Sequence, residues 1–274
     1  MRSLMKKRNY LTEEHFHDEW ALNTPIGEIN VVAQFKGTTS PEYKGAVRFL
    51  GNVKGKKILN LGCGLGEEAV YLAILGAKVY AIDISTQMLE FTRKLARRYK
   101  VGKRITYHHM SAENLKFDDN MFDGVLGCSI LHHVNTVKAV KEVKRTLKPG
   151  GVAVFLEPLA YNPVINIYRT MASEVRTDHE HPLTYKDIEK IRKVFPNLIH
   201  KEFQLLTLLI FIWFFIGEQL HPNKVRYWKK IITEGNKYKK TFKLLYGIDN
   251  MLLNIVPFFR RLCWVTVMKV RKEN

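Results

Sequence analysis

Between residues 58 and 83 the chain runs Ile58-Leu59-Asn60-Leu61-Gly62-Cys63-Gly64-Leu65-Gly66-Glu67, then a stretch of helical spacing to Leu75, then Val79-Tyr80-Ala81-Ile82-Asp83. An apolar run enters a turn of three closely spaced glycines, a helix follows, and a second apolar run ends on a carboxylate. Glycines let the backbone turn sharply and approach a ligand with no Cβ in the way. The helix after them offers unpaired N–H groups to anything anionic. Asp83, at the C-terminal end of the second strand, is expected beside that loop, where its carboxylate accepts two hydrogen bonds from a ribose. This is the geometry of a nucleoside-binding crevice in a doubly wound sheet.

The pattern continues downstream. Ile105–His108, Val125–Cys128 and Val152–Leu156 are strand-like, with helical stretches between, and such alternation predicts a parallel sheet covered on both faces. Ser85 is placed to cap a helix that carries Met88, Leu89, Thr92, Leu95 and Ala96. After Glu157-Pro158 no period is clear until Thr184, which caps a helix over Tyr185–Val194. The apolar run Phe203–Gly217 is closed by Lys201, Glu202 and Glu218, too short for the about 20 residues of a spanning helix. It is expected to be a sixth strand passing into a helix. Tyr238–Phe259 predicts a further helix with an apolar stripe (Phe242, Leu245, Ile248, Leu252, Ile255), and Leu262–Val270 a last strand. Residues 9–50 hold helix-like, aromatic-rich stretches broken at Asn23-Thr24-Pro25-Ile26-Gly27.

A dinucleotide fingerprint, G-x-G-x-x-G, would want a third glycine where this chain has Glu67. The spacing G-x-G-x-G instead resembles class I S-adenosylmethionine (SAM) methyltransferases. Four further segments are similar to that family in the right order: Val79–Ser85, His109-Met110-Ser111-Ala112-Glu113-Asn114-Leu115, Phe122–Val134, and Leu147-Lys148-Pro149-Gly150-Gly151. Leu131-His132-His133-Val134 resembles the small-molecule (type 11) branch, which includes the ubiquinone and menaquinone biosynthesis methyltransferases.

The resemblance implies an α/β, doubly wound, mostly parallel seven-stranded sheet of the Rossmann-like methyltransferase fold. It would have a helical N-terminal lid over residues 1–50, a SAM-binding core over 51–157, and an acceptor-side region over 158–274. A helical insertion at about 212–258 precedes an antiparallel last strand. The resemblance also implies that Gly62, Cys63, Gly64 and Gly66 line the methionine moiety and that Asp83 takes the ribose hydroxyls. Ile84 and Met88 would pack on the adenine, Ala112 and Glu113 would lie at its edge, and Ser129 near the methionine end.

Methyl transfer from a sulfonium asks the protein mainly to hold the nucleophile in line with the methyl carbon. A hydroxyl nucleophile also benefits from a base, and histidine suits neutral pH. His132 and His133 follow the fourth strand at the ligand-binding end of the sheet, and are the catalytic candidates. His15, His17, Glu157, Tyr161, His179 and His181 are further candidates near the mouth. Asp178-His179-Glu180-His181 precedes Pro182 in a loop, without the helical spacing of a metal site, so no metal is expected. The turn after the fourth strand, Cys128-Ser129-Ile130-Leu131, lacks both the Asp/Asn-Pro-Pro-aromatic motif of amino-directed nucleic-acid enzymes and a Pro-Cys nucleophile, and Cys128 is expected to be buried.

The 274 residues suffice for one large domain, and 46% hydrophobic with 26% charged residues is a globular composition. Three scattered cysteines suggest neither disulfides nor zinc. The basic N-terminus has no apolar stretch behind it, which predicts no secretory signal and a cytoplasmic protein. A net charge of +18 raises the local concentration of anions, whether RNA, acidic lipid or an anionic substrate. Expected, then, is methyl transfer to a small, lipophilic acceptor with peripheral membrane contact. The charge favours an alternative, methylation of tRNA or rRNA.

Overall fold

The computed structural model describes residues 2–175 and 180–273, apart from the side chains of residues 2–11 and Val175. Three helices lead in: α1 (Arg2–Asn23), α2 (Val31–Lys36) and α3 (Pro41–Leu50). Strands and helices then alternate through β1 (Lys57–Leu61), α4 (Glu67–Ile74), β2 (Lys78–Asp83), α5 (Thr86–Arg98), β3 (Ile105–His109), β4 (Phe122–Cys128), α6 (Thr136–Thr146) and β5 (Leu147–Pro158). The remainder comprises α7 (Pro163–Met171), α8 (Tyr185–Val194), β6 (Ile199–Phe203), α9 (Leu209–Ile216), α10 (Tyr227–Thr233), α11 (Gly235–Ile255) and β7 (Val265–Arg271).

The described residues form a seven-stranded sheet in the order β3-β2-β1-β4-β5-β7-β6, parallel except for β7, which is antiparallel to both its neighbours. Side chains alternate across it. Ile58, Leu126, Val154 and Leu156 meet the α2–α5 layer, whereas Leu59, Leu61, Val125 and Phe155 meet α6 and α8. The strand order reverses at β1 and β4, the switch point outside which ligands bind in such sheets.

Local signals set several boundaries as expected. The Ser85 hydroxyl accepts from Met88 N–H at 3.0 Å and starts α5, and Thr184 with Asp187 forms a full capping box on α8. Elsewhere the structure differs from the expectation. The sixth strand lies before the apolar run, not within it. Leu205, Leu206 and Thr207 donate their N–H groups to the buried Asp249 carboxylate, which ends the strand in a 3-10 turn and sends residues 209–216 into α9. α7 was invisible as a pattern because only Ile165 of its nine residues is buried. On α11 the buried face runs through Tyr238, Phe242, Asp249 and Leu253, so Ile255 of the expected stripe is 70% exposed.

Candidate active site

A cavity of about 880 Å³ opens where the C-terminal ends of β1, β2 and β4 meet the switch point. Its cofactor-side wall comes from three turns. At the first, Gly64 has φ +50° and a Cβ there would meet nothing within 4 Å, so the backbone faces open cavity. Gly64 N–H donates to Asp83 Oδ2 at 2.9 Å, while Asp83 Oδ1 accepts from Ser85 N–H at 3.0 Å. The carboxylate thus locks the glycine loop to the end of β2, and lone pairs remain on both oxygens for a ligand. At the third turn Ser129, after β4, takes φ +54° with its N–H bound to Leu156 O, a strained residue at the cavity wall.

Of the residues expected to hold the cofactor, Gly62, Cys63, Gly64, Asp83, Ile84, Ala112, Glu113 and Ser129 line this cavity. Two do not. Gly66, at φ +92°, is the pivot between α4 and α5, where a Cβ would stand 2.7–2.9 Å from Thr92. Met88 is fully buried in the core, because the Ser85 cap sets it in the first turn of α5 facing the sheet. Cys128 is half-buried and lines the cavity, against the expectation of burial, since the Ser129 turn opens the end of β4.

His132 and His133 both reach the cavity but have different partners. His132 Nδ1 lies 2.8 Å from Glu157 Oε2, and Glu157 Oε1 accepts the N–H groups of Ile130 and Leu131 at 2.9 and 2.8 Å. Glu157 is wholly buried, and burial pushes its carboxyl up to about 7. His133 Nδ1 instead faces Glu13 Oε2 of α1 at 3.2 Å. Among the other candidates, His17 and His181 line the cavity, as does Glu180. The His15 side chain is 76% exposed beside Glu19, and the Tyr161 hydroxyl accepts from Tyr185 N–H. His179 and Asp178 lie outside the described residues.

Helix α1 lies across this mouth. Asp18 Oδ1 accepts from the Ser85 hydroxyl and from Gln87 N–H at the start of α5, and the Arg226 guanidinium stacks 4.0 Å over Trp20.

The residues that sequence reasoning missed are acids. Glu42, Glu67 and Glu68 are buried and line the cavity beside Gly62 and Cys128. Desolvation pushes Glu42 up to about 7 and Glu68 up to about 8, and Gln34 Nε2 donates to Glu68 Oε1 at 3.3 Å. The adjacent Glu67-Glu68 pair in the first turn of a helix looks like routine dipole compensation, and nothing in the sequence shows that the lid buries it.

Residues 59–155 match a protein-family model described as "Methyltransferase domain". The matched residues are thus similar to a methyltransferase domain over the stretch from β1 to β5. A demethylmenaquinone methyltransferase of Clavibacter sepedonicus is 39% identical over 111 residues, covering 40% of this chain and 44% of that protein. The chain spans about half the length of the curated relatives it matches.

Among solved structures, a geranyl diphosphate C-methyltransferase from Streptomyces coelicolor, in complex with Mg2+, geranyl diphosphate and S-adenosyl-L-homocysteine, aligns with TM-score 0.56 and 16% identity. The alignment covers 88% of this chain and 82% of that one. A (4+2)-cyclase, SpnF, aligns with TM-score 0.54 and 17% identity over 84% and 79%. The likeness therefore concerns the fold, which carries more than one chemistry.

The cavity fits SAM. Its turns present an acceptor-only carboxylate at Asp83 and an open backbone at Gly64, with the buried carboxyl groups of Glu67 and Glu68 in the same lining. No helix among the described residues is long and apolar enough to cross a membrane.

Proposed function

We propose that this protein transfers the methyl group of SAM to a small, lipophilic acceptor. The observation that carries the reading is a cavity lined both by the Asp83–Gly64 clasp and by His132, whose Nδ1 is held by the buried Glu157 behind it, with Trp20, Trp228 and Trp264 in the same lining. SAM would bring the methyl group and its own leaving group. The protein holds the cofactor at the first clasp, excludes water with α1, and aligns the acceptor against the second. Glu157 fixes the imidazole of His132 through Nδ1, and Nε2 is the atom that would take the acceptor's proton.

The names of the relatives support small-molecule methylation, since the curated match methylates demethylmenaquinone by name. Neither the comparisons nor the acid-lined cavity supports the RNA alternative.

Peripheral membrane contact is the finer part of the proposal. On α11, Leu244, Met251 and Ile255 form an exposed apolar stripe at helical spacing, followed by exposed Phe258, and Trp213, Phe215 and Ile216 are exposed on α9. Lys239, Lys240, Lys243, Arg260 and Arg261 are exposed close by in sequence, the composition of a surface that lies on anionic lipid.

Incubation with methyl-labelled SAM and a cell extract, then fractionation, tests the function. Label in the organic phase is expected; label in RNA, or none anywhere, contradicts it. Co-sedimentation with anionic vesicles at low salt tests the membrane part, which falls if the protein stays in the supernatant.

A further inference from the structure

Glu13, His17 and His133 stand at the junction of α1 with the turn after β4, and the mechanism above leaves them unused. Glu13 and His17 are one helical turn apart, so they project from the same face of α1. Glu13 Oε2 is 3.5 Å from His17 Nε2 and 3.2 Å from His133 Nδ1. The ligand-capable atoms of the three residues all lie within 4.8 Å of one another. Ligands held at 2.0–2.1 Å by a tetrahedral ion are about 3.3 Å apart, so two of the three separations match such a cage.

Burial and orientation point the same way. Glu13 is 5% exposed, and the side chains of His17 and His133 are 18% and 13% exposed. Among the described residues no hydrogen bond reaches the buried Nδ1 of His133, although a carboxylate oxygen stands 3.2 Å away. A nitrogen and an oxygen at that distance, outside hydrogen-bond geometry, have the separation of two ligands of one ion. All three side chains line the cavity, so the remaining coordination position faces the space meant for the acceptor.

We infer that Glu13, His17 and His133 bind one divalent first-row metal ion, with an open position that takes an oxygen of the methyl acceptor. Two imidazoles and a carboxylate suit Zn2+ and its neighbours rather than Mg2+ or Ca2+. Three protein ligands with one open position is the pattern of a metal that binds and polarises a substrate oxygen. The acceptor would thus be a phenol, an enol or a carbonyl compound. Because α1 supplies two ligands and the β4 exit the third, the ion would also pin the lid to the body. The role toward the acceptor rests on the methyl-transfer reading; the metal site does not.

The full chain is stripped with chelator and dialysed against Zn2+, with bound metal measured by mass spectrometry and Co2+ substitution followed by visible absorption. One equivalent is expected in the wild type, with affinity lower by at least about 100-fold in both His17→Ala and Glu13→Gln. Zn2+ should raise the unfolding temperature of the wild type and leave that of His17→Ala unchanged. Thermal unfolding without metal identifies a variant that fails to fold, in which case His133→Gln replaces it. Less than about a tenth of an equivalent at micromolar free Zn2+, or equal binding by wild type and folded variants, overturns the inference. Stoichiometric binding without methyl transfer supports the site and contradicts only the function proposed above.

Discussion

The two ends of the cavity are built in different ways. The cofactor end comes from three turns that directly follow β1, β2 and β4, each fixed by one or two short hydrogen bonds such as Gly64 N–H to Asp83 and Ser129 N–H to Leu156 O. The end proposed for the acceptor is gathered from α1, α7, α10 and the start of β7, with Trp20 and Trp264 separated by most of the chain. Local backbone geometry therefore specifies the first end, and only tertiary packing of helices specifies the second. The fold can thus keep one cofactor site while its acceptor varies.

That contrast can be broken first at its most rigid point. Gly66→Val puts a branched side chain at φ +92° against Thr92, whose side chain and Cα stand 2.7–2.9 Å away. The expected loss is about 2 kcal/mol or more, seen as a fall in unfolding temperature together with loss of SAM binding. Unchanged stability would show that the loop is softer than described.

His132→Ala separates catalysis from cofactor binding. It should lower kcat about 10²- to 10⁴-fold with SAM affinity kept, and Glu157→Gln should give a smaller loss through the same ring. A kcat within twofold of the wild type for His132→Ala would remove the base.

A third test uses the buried acid. Burial raises Glu68 to about 8, so between about 4.5 and 8 the folded state holds a proton that the unfolded state has lost. Its contribution is favourable at low pH and is lost as pH rises through that window. Unfolding temperature should therefore climb for Glu68→Gln relative to wild type as pH goes from 5 to 9. A constant difference across that range would contradict the shift.

The smallest effect belongs to the outer face. Ile255→Asp should leave stability within about 0.5 kcal/mol, since Ile255 is 70% exposed, while weakening sedimentation with anionic vesicles. Equal sedimentation would place the lipid contact elsewhere.

The same division governs what could be read from the sequence. Strands β1, β2 and β4, the Ser85 and Thr184 caps and the Asp83–glycine clasp rest on residues close in sequence, whose glycine spacing and period are visible directly. The seven-stranded, mostly parallel sheet and its antiparallel last strand came through family resemblance and match the structure. What stayed hidden depends on distant partners. Asp249 ends β6 from some 40 residues away, Glu42, Glu67 and Glu68 are buried by helices that pack around them, and Glu13 meets His133 across the lid. Met88 was misplaced for the opposite reason: apolar spacing marks a residue as inward-facing but does not separate core from cavity wall.

The glycine turn and Asp83 are proposed to form the SAM site. Calorimetric titration of SAM into the wild type and Asp83→Ala tests it most directly. Saturable one-to-one binding is expected, weakening at least about 100-fold in the variant, about 2.7 kcal/mol, with the variant still folded. Equal affinity in the two proteins, or no binding to the wild type, would contradict it.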